Sequence, residues 1–352
     1  MFLSVFLCAS AAFAEGLRNL PPATEPRIEV TDRVWATTPG EASVCIWKDD
    51  ALAAVTFTID DNSAPDHDWW LEMAEKYGIK ITWFVVVDAI TEDDQSYFGT
   101  WEKFRRLYAA GHDIQSHTVT HRGPKKNMPV EQDYADSIAP IEENVKGVKC
   151  LTLAFPGGGL PNDPDIAAKY FIAARGTSGH FNAAATVNYQ NTNSISGLFE
   201  MDNPKHWAHF PGVIDPSHKL FRCWASTHYH GVKDEMKPNV VRILEFIKEH
   251  KDDLWCGTFR NVAQYGQQRD TATLKVTKNT ATEIALDLTS KMDPEYFDYP
   301  LTVKVCVPKN WKKVAATQAG KEIEYKLVEH EGNKYVLAQI VPGRGEALLK
   351  AE

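Results

Sequence analysis

The sequence has no run of Lys or Arg, few cysteines and no long apolar segment outside its N-terminus. Of its 352 residues, 38 are Lys or Arg and 47 are Asp or Glu, so the formal net charge is -9. Proteins that bind nucleic acid need a positively charged surface, so this composition argues against such a partner. Hydrophobic residues make up 43% of the chain, which is enough for a sizeable buried core.

The one long apolar run lies at the N-terminus, from Phe2 to Phe13. It is too short to span a bilayer. It leads into Ala12-Phe13-Ala14, a small-x-small pattern that precedes signal-peptidase cleavage. We therefore expect residues 1–14 to be a signal peptide cleaved after Ala14, and the mature protein to be exported to the periplasm or the extracellular space.

Six cysteines are present, and five of them lie beyond the expected signal peptide. Their spacings match neither a zinc knuckle nor a CxxC motif, and an odd number leaves at least one thiol unpaired in a monomer. Cys223 and Cys256 could form a disulfide if neighbouring strands carry them. Buried free thiols are the favoured interpretation.

Apolar strand-like runs alternate with amphipathic helical patterns through residues 51–268. The continuous apolar run at 81–87, for example, is typical of a strand that is buried on both faces. This alternation predicts an α/β fold with a layered sheet or a barrel. In residues 271–352, apolar and polar residues alternate with a period of two, which predicts a small C-terminal all-β sandwich domain. Residues 15–50 are expected to be an N-terminal extension that packs on the barrel.

Polar residues suited to chemistry follow two of the predicted strands. Asp60 and Asp61 come directly after the strand predicted at 54–59, although two adjacent carboxylates repel each other and resist burial. His117 and His121 follow another strand and are four residues apart. On a helical turn this spacing would place both imidazoles on one face, where they could share a metal ion.

Two further strand ends carry similar features. His228 and His230 are two residues apart, so on a strand they share one face. The run AFPGGG at 154–159 contains three glycines, which allow the backbone to approach a ligand closely and present its N–H groups. Each feature alone has an ordinary explanation, such as a solvated turn. Together they predict an active site, because active sites of α/β barrels assemble at the C-terminal ends of the strands.

These motifs resemble those of the polysaccharide deacetylases of the NodB homology type, carbohydrate esterase family 4. Thr58-Ile59-Asp60-Asp61 matches the T-F-D-D motif of the family, with Asn62 where Gly is usual. His117-Thr118-Val119-Thr120-His121 matches its H-[ST]-x-x-H motif. The resemblance covers about residues 50–265 and implies a distorted, incomplete (β/α) barrel of the NodB type, which we place at residues 51–268.

The resemblance also implies roles for individual residues. Asp61, His117 and His121 would bind one divalent metal, most readily zinc, although cobalt, nickel or iron also suit these ligands. Asp60 would be the general base towards the metal-activated water. The backbone N–H of Gly157 would help to stabilise the oxyanion.

A His after the seventh strand would be the general acid towards the leaving group. His230 is favoured because Gly and Val follow it, as in many relatives, and His228 is the alternative. Three further residues are candidates for contact with the substrate: Pro156, Arg175 and Trp207. For Arg175 a structural salt bridge is an equal alternative, and for Trp207 packing within its loop is the favoured alternative.

The chain departs from the family pattern in one motif that bears on catalysis. The third motif often carries an Arg that orients the base Asp, but the run LAFPGGG at 153–159 has none. The Asp-Trp motif that usually follows is also not recognisable. Because bacterial members with Phe/Tyr-Pro at this place are familiar, we expect an active enzyme in which the partner of Asp60 is not identified by the sequence.

The resemblance thus implies metal-dependent hydrolysis of N- or O-linked acetyl groups from a carbohydrate polymer or oligosaccharide. One alternative is a non-catalytic carbohydrate-binding protein on the same fold, which the intact acidic and His motifs disfavour. Another is a metal-dependent hydrolase of small non-sugar amides, which the expected export and the β domain disfavour. The sugar, the native metal and the oligomeric state are left open by the sequence.

Overall fold

The computed structural model of the protein describes residues 16–121, 127–158, 162–197 and 207–352. The expected signal peptide lies outside the described residues. Within the described ranges, no helix is both long enough and apolar enough to cross a membrane.

The chain forms seven α-helices and seventeen β-strands over the ranges that the structure describes. The helices are α1 (His67–Tyr77), α2 (Trp101–Ala109), α3 (Val130–Ala135), α4 (Ile138–Asn144), α5 (Pro164–Tyr170), α6 (Lys237–Glu249) and α7 (Phe259–Asp270). The strands are β1 (Ala42–Val44), β2 (Ala53–Ile59), β3 (Ile81–Val85), β4 (Asp113–Ser116), β5 (Thr152–Ala154), β6 (Ala173–Arg175), β7 (Ile195–Ser196), β8 (Trp224–Tyr229), β9 (Leu254–Cys256), β10 (Thr273–Asn279), β11 (Glu283–Thr289), β12 (Leu301–Val307), β13 (Val314–Gln318), β14 (Lys321–Glu322), β15 (Tyr325–His330), β16 (Asn333–Ile340) and β17 (Ala347–Ala351).

Strands β2 to β9 form one curled sheet in which every strand pair is parallel. The strand order is β6-β5-β4-β3-β2-β8-β7, and β9 pairs with the first residues of β2. Among the described residues the sheet ends at β6 and β7, so the barrel is incomplete. The distorted, incomplete barrel that the motifs implied is therefore confirmed.

Strand β2 lies at the centre of this sheet and is buried along its whole length. Its sequence, AAVTFTI, carries apolar or β-branched side chains on both faces, as a parallel strand covered on both sides requires. The two Thr hydroxyls are hydrogen bonded: Trp224 Nε1 donates to Thr56 Oγ1 over 3.1 Å, and Thr58 Oγ1 donates to the carbonyl of Thr227. Burial of these hydroxyls therefore leaves no unpaired polar atom.

Helix α7 is an element that the sequence pattern did not predict. The side chain of Thr258 caps its first turn by accepting from the N–H of Asn261. Most of the helix is buried, including polar residues such as Gln267 and Gln268, whose amides donate to the carbonyls of Ile172 and Tyr299. Because polar residues lie on its buried faces, α7 shows no simple apolar stripe, which is the signal that helix prediction depends on.

The C-terminal part of the chain forms two antiparallel sheets, with strand orders β1-β12-β16-β15 and β10-β11-β17-β13-β14. Buried residues of both sheets belong to one apolar cluster, so the sheets pack against each other; barrel and α7 residues such as Trp224 and Phe259 belong to the same cluster. Strand β1, from the N-terminal extension, pairs with β12 of the first sheet. The same extension also contacts the barrel, where Asn19 Nδ2 donates to the carbonyl of Ala168.

All five described cysteines are free thiols. The disulfide considered between Cys223 and Cys256 is therefore absent, and the free-thiol interpretation is confirmed. Burial raises the pKa of Cys223 and of Cys256 to about 12, so both are protonated at neutral pH.

Candidate active site

The polar residues that follow β2, β4, β6 and β8 meet at the C-terminal edge of the parallel sheet. The register of β2 against β8 pairs Ile59 with Tyr229, so the residues that follow them, Asp60 and His230, become neighbours. The N–H of Asp60 donates to the carbonyl of Tyr229 over 2.9 Å, which extends this pairing beyond the strand end. The site therefore lies where the parallel sheet presents its carboxyl ends, as the sequence predicted.

Asp61, His117 and His121 form a compact group of metal-ligating side chains. Asp61 Oδ1 lies 3.5 Å from His117 Nε2 and 3.2 Å from His121 Nε2. One potential ligand atom from each of the three residues lies within 4.8 Å of the other two. A single divalent cation could contact all three, since zinc binds His nitrogens and carboxylate oxygens at about 2.0–2.2 Å.

The hydrogen bond of His117 leaves the correct ring nitrogen for a metal. His117 is 1% exposed, and its Nδ1 lies 2.8 Å from the carbonyl oxygen of Ala154. A carbonyl oxygen can only accept, so Nδ1 carries the hydrogen and Nε2, which faces Asp61, keeps its lone pair. Burial lowers the pKa of His117 and outweighs the opposing charges of Asp60 and Asp61. The neutral form, which is the form that binds metals, is thus favoured.

The segment from His117 to His121 is a loop rather than a helical turn, so the predicted local geometry is wrong. Thr118 and His121 have φ angles of 69° and 63°, in the left-handed region. Asp133 of α3 holds the loop by accepting from the N–H of Thr120 over 2.8 Å. The two imidazole centroids nevertheless lie 4.9 Å apart, because tertiary contacts supply the curvature that a helix was expected to give.

The turn after β2 is strained. Asp61, Asn62 and Ser63 have φ angles of 55°, 65° and 43°, a run of three left-handed residues that are not glycine. Such a conformation is unfavourable for most L-residues and is tolerated best by Asn and Asp. Asn62 is fixed from both ends of its amide: its Oδ1 accepts from the N–H of Val86 and its Nδ2 donates to the carbonyl of Phe98. Asn62 thus adopts the backbone conformation for which Gly is usual in this motif.

Asp60 and Arg175 form a buried ion pair beside the metal-ligating group. Asp60 is 3% exposed and Arg175 is fully buried, and Arg175 Nη2 donates to both carboxylate oxygens of Asp60. Burial alone would raise the pKa of Asp60. The charge of Arg175, with smaller effects of His117, His230 and His228, instead lowers it to about 2. Asp60 is therefore a carboxylate at any physiological pH.

Arg175 is fully buried and forms a salt bridge with Asp60, which is one of the two alternatives that the sequence left open for it. It is the partner of Asp60 that the sequence could not identify. The register pairs Arg175 of β6 with Ala154 of β5, so this Arg lies on the strand next to the run in which the family motif carries its own. A charged residue at the end of the apolar strand AARG was the available signal.

His228, near the end of β8, and His230, just after it, differ in exposure and in partners. The side chain of His230 is 48% exposed, and its Nε2 lies 3.6 Å from Asp61 Oδ2. His228 Nδ1 lies 2.7 Å from the hydroxyl of Ser194, which itself donates to the carbonyl of Gly176. Because that hydroxyl has one hydrogen, it accepts from Nδ1–H of His228. The sequence analysis did not single out Ser194, which no local motif marks.

The glycine run after β5 forms a tight turn, Pro156–Gly158. Gly157 has a φ of 64°, and a Cβ atom added there would meet no atom within 4 Å, so the backbone is open on that side. A Cβ atom at Gly158 would collide with the side chain of Thr177. The carbonyl of Pro156 accepts from Asn162 Nδ2 over 3.0 Å, which ties the turn to the start of α5.

Trp207 packs within the irregular segment before β8. It is fully buried, its ring packs against Phe210 at 5.1 Å, and its Nε1 donates to the carbonyl of Ser196 over 3.3 Å. This packing agrees with the loop-packing alternative for Trp207, and a contact of Trp207 with substrate stays a prediction. An indole in an irregular segment suits either a core or a sugar-binding surface, and only the packing distinguishes the two.

Comparisons with known proteins agree with the motifs. Residues 48–171 match the family model described as polysaccharide deacetylase. A Bacillus sp. protein named gellan lyase is 37% identical over 359 aligned residues, which cover 94% of this chain. The chain spans 14% of the length of that protein.

Two solved structures of deacetylases are partly similar. The peptidoglycan deacetylase PdaC of Bacillus subtilis, as a mutant, gives a TM-score of 0.41 at 14% identity, covering 64% of this chain and 96% of that one. The deacetylase PplD of Streptococcus pyogenes, in complex with acetate, gives 0.36 at 21% identity, covering 40% and 62%. These likenesses are partial and assign no function to this chain. The family match does cover the segment with Asp60, Asp61, His117 and His121, so residues 48–171 are similar to a polysaccharide deacetylase domain.

Proposed function

We propose that the protein is a metal-dependent carbohydrate deacetylase that hydrolyses N- or O-linked acetyl groups. The observation that carries this proposal is the adjacency of two groups with different tasks. Asp61, His117 and His121 can hold one metal ion, and the buried ion pair of Asp60 with Arg175 places a permanently ionised carboxylate next to it. If the pair of Asp60 with Arg175 served stability alone, a possible cation site next to it would have no purpose.

Asp61, His117 and His121 would hold the metal. Two neutral imidazoles and one carboxylate suit zinc best, and cobalt, nickel or iron are compatible with the same ligands. A divalent cation supplies Lewis acidity here: it polarises the acetyl carbonyl and makes the attacking water more acidic.

Asp60 is the proposed general base. The attacking water adds its oxygen to the acetyl carbon and gives a proton to a carboxylate oxygen of Asp60. The pKa of about 2 makes Asp60 fully ionised but a weak base in the metal-free protein. Its role therefore depends on a water whose own pKa is lowered in the loaded site, so that the proton transfer is not strongly uphill.

Gly157 and the two His residues after β8 complete the proposed reaction. The N–H of Gly157 would donate to the oxyanion that develops on the carbonyl oxygen. His230, half-exposed above Asp61, would give a proton from Nε2 to the leaving nitrogen or oxygen as its bond to the acetyl carbon breaks. His228, held by Ser194, is the alternative acid. The products are acetate and a free amine or hydroxyl.

Several observations support a carbohydrate as the substrate. The family of residues 48–171 is named for polysaccharides, and the curated relative that matches along 94% of this chain is named for a polysaccharide lyase. That name also makes a lyase a second candidate. The residues that match, however, are a small part of the relative. An ionised Asp next to a metal site suits hydrolysis, whereas an elimination reaction does not specifically require it.

Acetate release from acetylated oligosaccharides tests the proposal. The panel would contain chitin, peptidoglycan, xylan, mannan and gellan fragments, assayed with zinc or cobalt and again with a chelator. Acetate release that the chelator abolishes is the expected result. Bound metal without release from any carbohydrate would instead support the hydrolase of small amides, and a product with a new ultraviolet chromophore would support the lyase.

Matched variants exclude a contaminating activity. Asp60→Asn should retain bound metal and lose acetate release, whereas His121→Ala should lose both. His209, an exposed residue of the irregular segment before β8, provides the control, and His209→Ala should leave both unchanged. If neither metal nor acetate release is detected in the wild-type protein, it is a binding protein on an enzyme fold.

A further inference from the structure

Two exposed aromatic side chains lie next to the candidate site. Tyr97 is 42% exposed and Phe98 is 38% exposed, and their rings meet edge to face with centroids 5.3 Å apart. They are the one adjacent pair among the large apolar side chains that are exposed in the described ranges. Exposed aromatic pairs are costly in water, so their position requires an explanation.

Tyr97 contacts the turn that follows β2 and lies next to the residues that follow β8. Its hydroxyl lies 3.1 Å from Ser63 Oγ, two residues after Asp61, and its carbonyl accepts from the N–H of Ala64. On the other side, a Cβ atom at Gly231 would lie 3.4 Å from the same hydroxyl. Gly231 directly follows His230, so Tyr97 spans the ends of β2 and β8.

Phe98 is tied to the strained turn that carries Asp61. Its carbonyl accepts from Asn62 Nδ2 over 3.1 Å, and Asn62 Oδ1 accepts from Val86 at the end of β3. The backbone of the pair is therefore as firmly placed as the catalytic turn itself, while the rings stay open to solvent. A fixed, exposed aromatic surface costs little conformational entropy when it binds a ligand.

We propose that Tyr97 and Phe98 form a stacking surface for a sugar ring of the substrate, at the side of the site where β2, β3 and β8 end. This inference rests on the proposed function and deepens it, since it assigns a carbohydrate-binding subsite to residues that no motif marks. One face of a pyranose ring is lined with C–H groups, and an aromatic ring buries that face while the hydroxyls remain hydrated. The acetylated sugar, or its neighbour in the chain, would lie on this surface.

The hydroxyl of Tyr97 and its ring have separate tasks in this arrangement. The hydroxyl is already partnered by Ser63, so it positions the ring rather than the substrate. The ring provides the contact. Tyr97→Phe should therefore keep most of the binding, whereas replacement by an aliphatic residue should lose it.

Binding of unacetylated oligosaccharides to the metal-loaded, full-length protein tests the inference without turnover. The probes are chitosan, xylan and mannan tetramers, with affinity measured by calorimetry or ligand-observed NMR. Tyr97→Leu and Phe98→Leu should each weaken binding of the best probe by about tenfold, which is the effect of one aromatic contact. Leu keeps apolar volume, so folding is preserved, and unchanged metal content reports that the site is intact.

Tyr325→Leu is the matched control, because Tyr325 of β15 is 37% exposed but belongs to the C-terminal sandwich. It should bind the probe like the wild type. A small aryl acetate is too short to reach the stacking surface, so its kcat/KM should fall much less in the Tyr97 and Phe98 variants than that of acetylated oligosaccharides. For acetylated oligosaccharides, KM should rise in these variants with little change in kcat.

The outcomes separate this inference from the proposed function. Equal affinity of the wild type and both Leu variants for the probes would overturn the stacking surface. The proposed deacetylase activity would not be affected by that result. Weakened binding in the variants, without acetate release from any substrate by the wild type, would overturn the deacetylase and keep the carbohydrate subsite. If the wild type binds none of the probes, the stacking surface is wrong.

Discussion

Arg175 donates through Nη2 to both carboxylate oxygens of Asp60, across 115 residues of sequence. Both side chains are buried, so the guanidinium is closed to solvent. The pair explains how a carboxylate can be charged at the end of a fully apolar strand. It also makes Arg175 a positioning residue for the proposed base.

Arg175 and Asp60 should be strongly coupled in a stability measurement. Removing one partner of a buried ion pair costs roughly 3–5 kcal/mol, because the other charge stays buried and unpaired. We expect Arg175→Met and Asp60→Asn each to lower the free energy of unfolding by an amount in this range. The double variant should lose much less than the sum of the two, as measured by urea denaturation of metal-free protein.

Additive losses would contradict the coupling and would mean that the two residues act through separate neighbours. The pair of Lys169 with Glu131 provides a control cycle, because both side chains are about half exposed. Such a surface pair should show a much smaller coupling, because water and salt screen exposed charges.

Zinc binding should depend on all three proposed ligands and on the hydrogen bond that orients His117. His117→Ala, His121→Ala and Asp61→Asn should each weaken zinc binding by at least about 100-fold, since even outer partners of metal ligands contribute about 10–100-fold. Equilibrium dialysis with metal analysis measures the effect. Because His117 Nδ1 donates to the backbone carbonyl of Ala154, Ala154→Gly, which keeps that carbonyl, should not mimic the loss.

The two His residues after β8 can be separated by leaving-group dependence. A general acid matters most when the leaving group is poor. We expect His230→Ala to reduce kcat/KM by about 100-fold or more for alkyl acetates or acetamides, and far less for aryl acetates with acidic leaving groups. His228→Ala should reduce kcat/KM to a similar extent for all of these substrates. The reverse pattern would assign the acid to His228 and its partner Ser194.

His112 should make the fold less stable in mild acid. It is buried, and its Nδ1 accepts the N–H of Ile81 over 3.1 Å, which only an unprotonated nitrogen can do. Burial, with a smaller effect of Lys80, lowers the pKa of His112 to about 4. The unfolded state, with an ordinary His pKa of about 6.5, therefore takes up a proton first as the pH falls.

The contribution of His112 is thus fully present above about pH 6.5 and is lost progressively towards pH 4. Between about pH 7 and pH 5 we expect it to cost roughly 2 kcal/mol of unfolding free energy. His112→Gln should remove this part of the pH dependence, and His209→Gln, at an exposed position, should leave it unchanged. An identical pH dependence in wild type and His112→Gln would show that His112 is not held neutral.

Much of the fold follows from local patterns in the sequence. The runs of β2 and β3 were predicted because a parallel strand covered on both faces needs apolar or β-branched residues throughout. Helix α7 was not predicted, because it is buried on several faces and its polar residues, such as Gln267, find partners in other elements. A pattern within one element cannot show partners that come from another.

The sequence by itself determined which residues could do chemistry: Asp60, Asp61, His117 and His121 are recognisable because each motif lies within a few residues and at a strand end. Only the tertiary structure decided what those residues contact. Arg175 pairs with Asp60, Trp207 is buried, and Tyr97 and Phe98 are exposed beside the site. A local signal marked Arg175 as unusual, but nothing local identified the partner or the exposure of any of these residues. The physical reason is the strand order. The sheet places β6 and β8 on opposite sides of β2 and so brings together side chains that are more than a hundred residues apart. The charge state and the exposure of these side chains depend on the neighbours that they meet there.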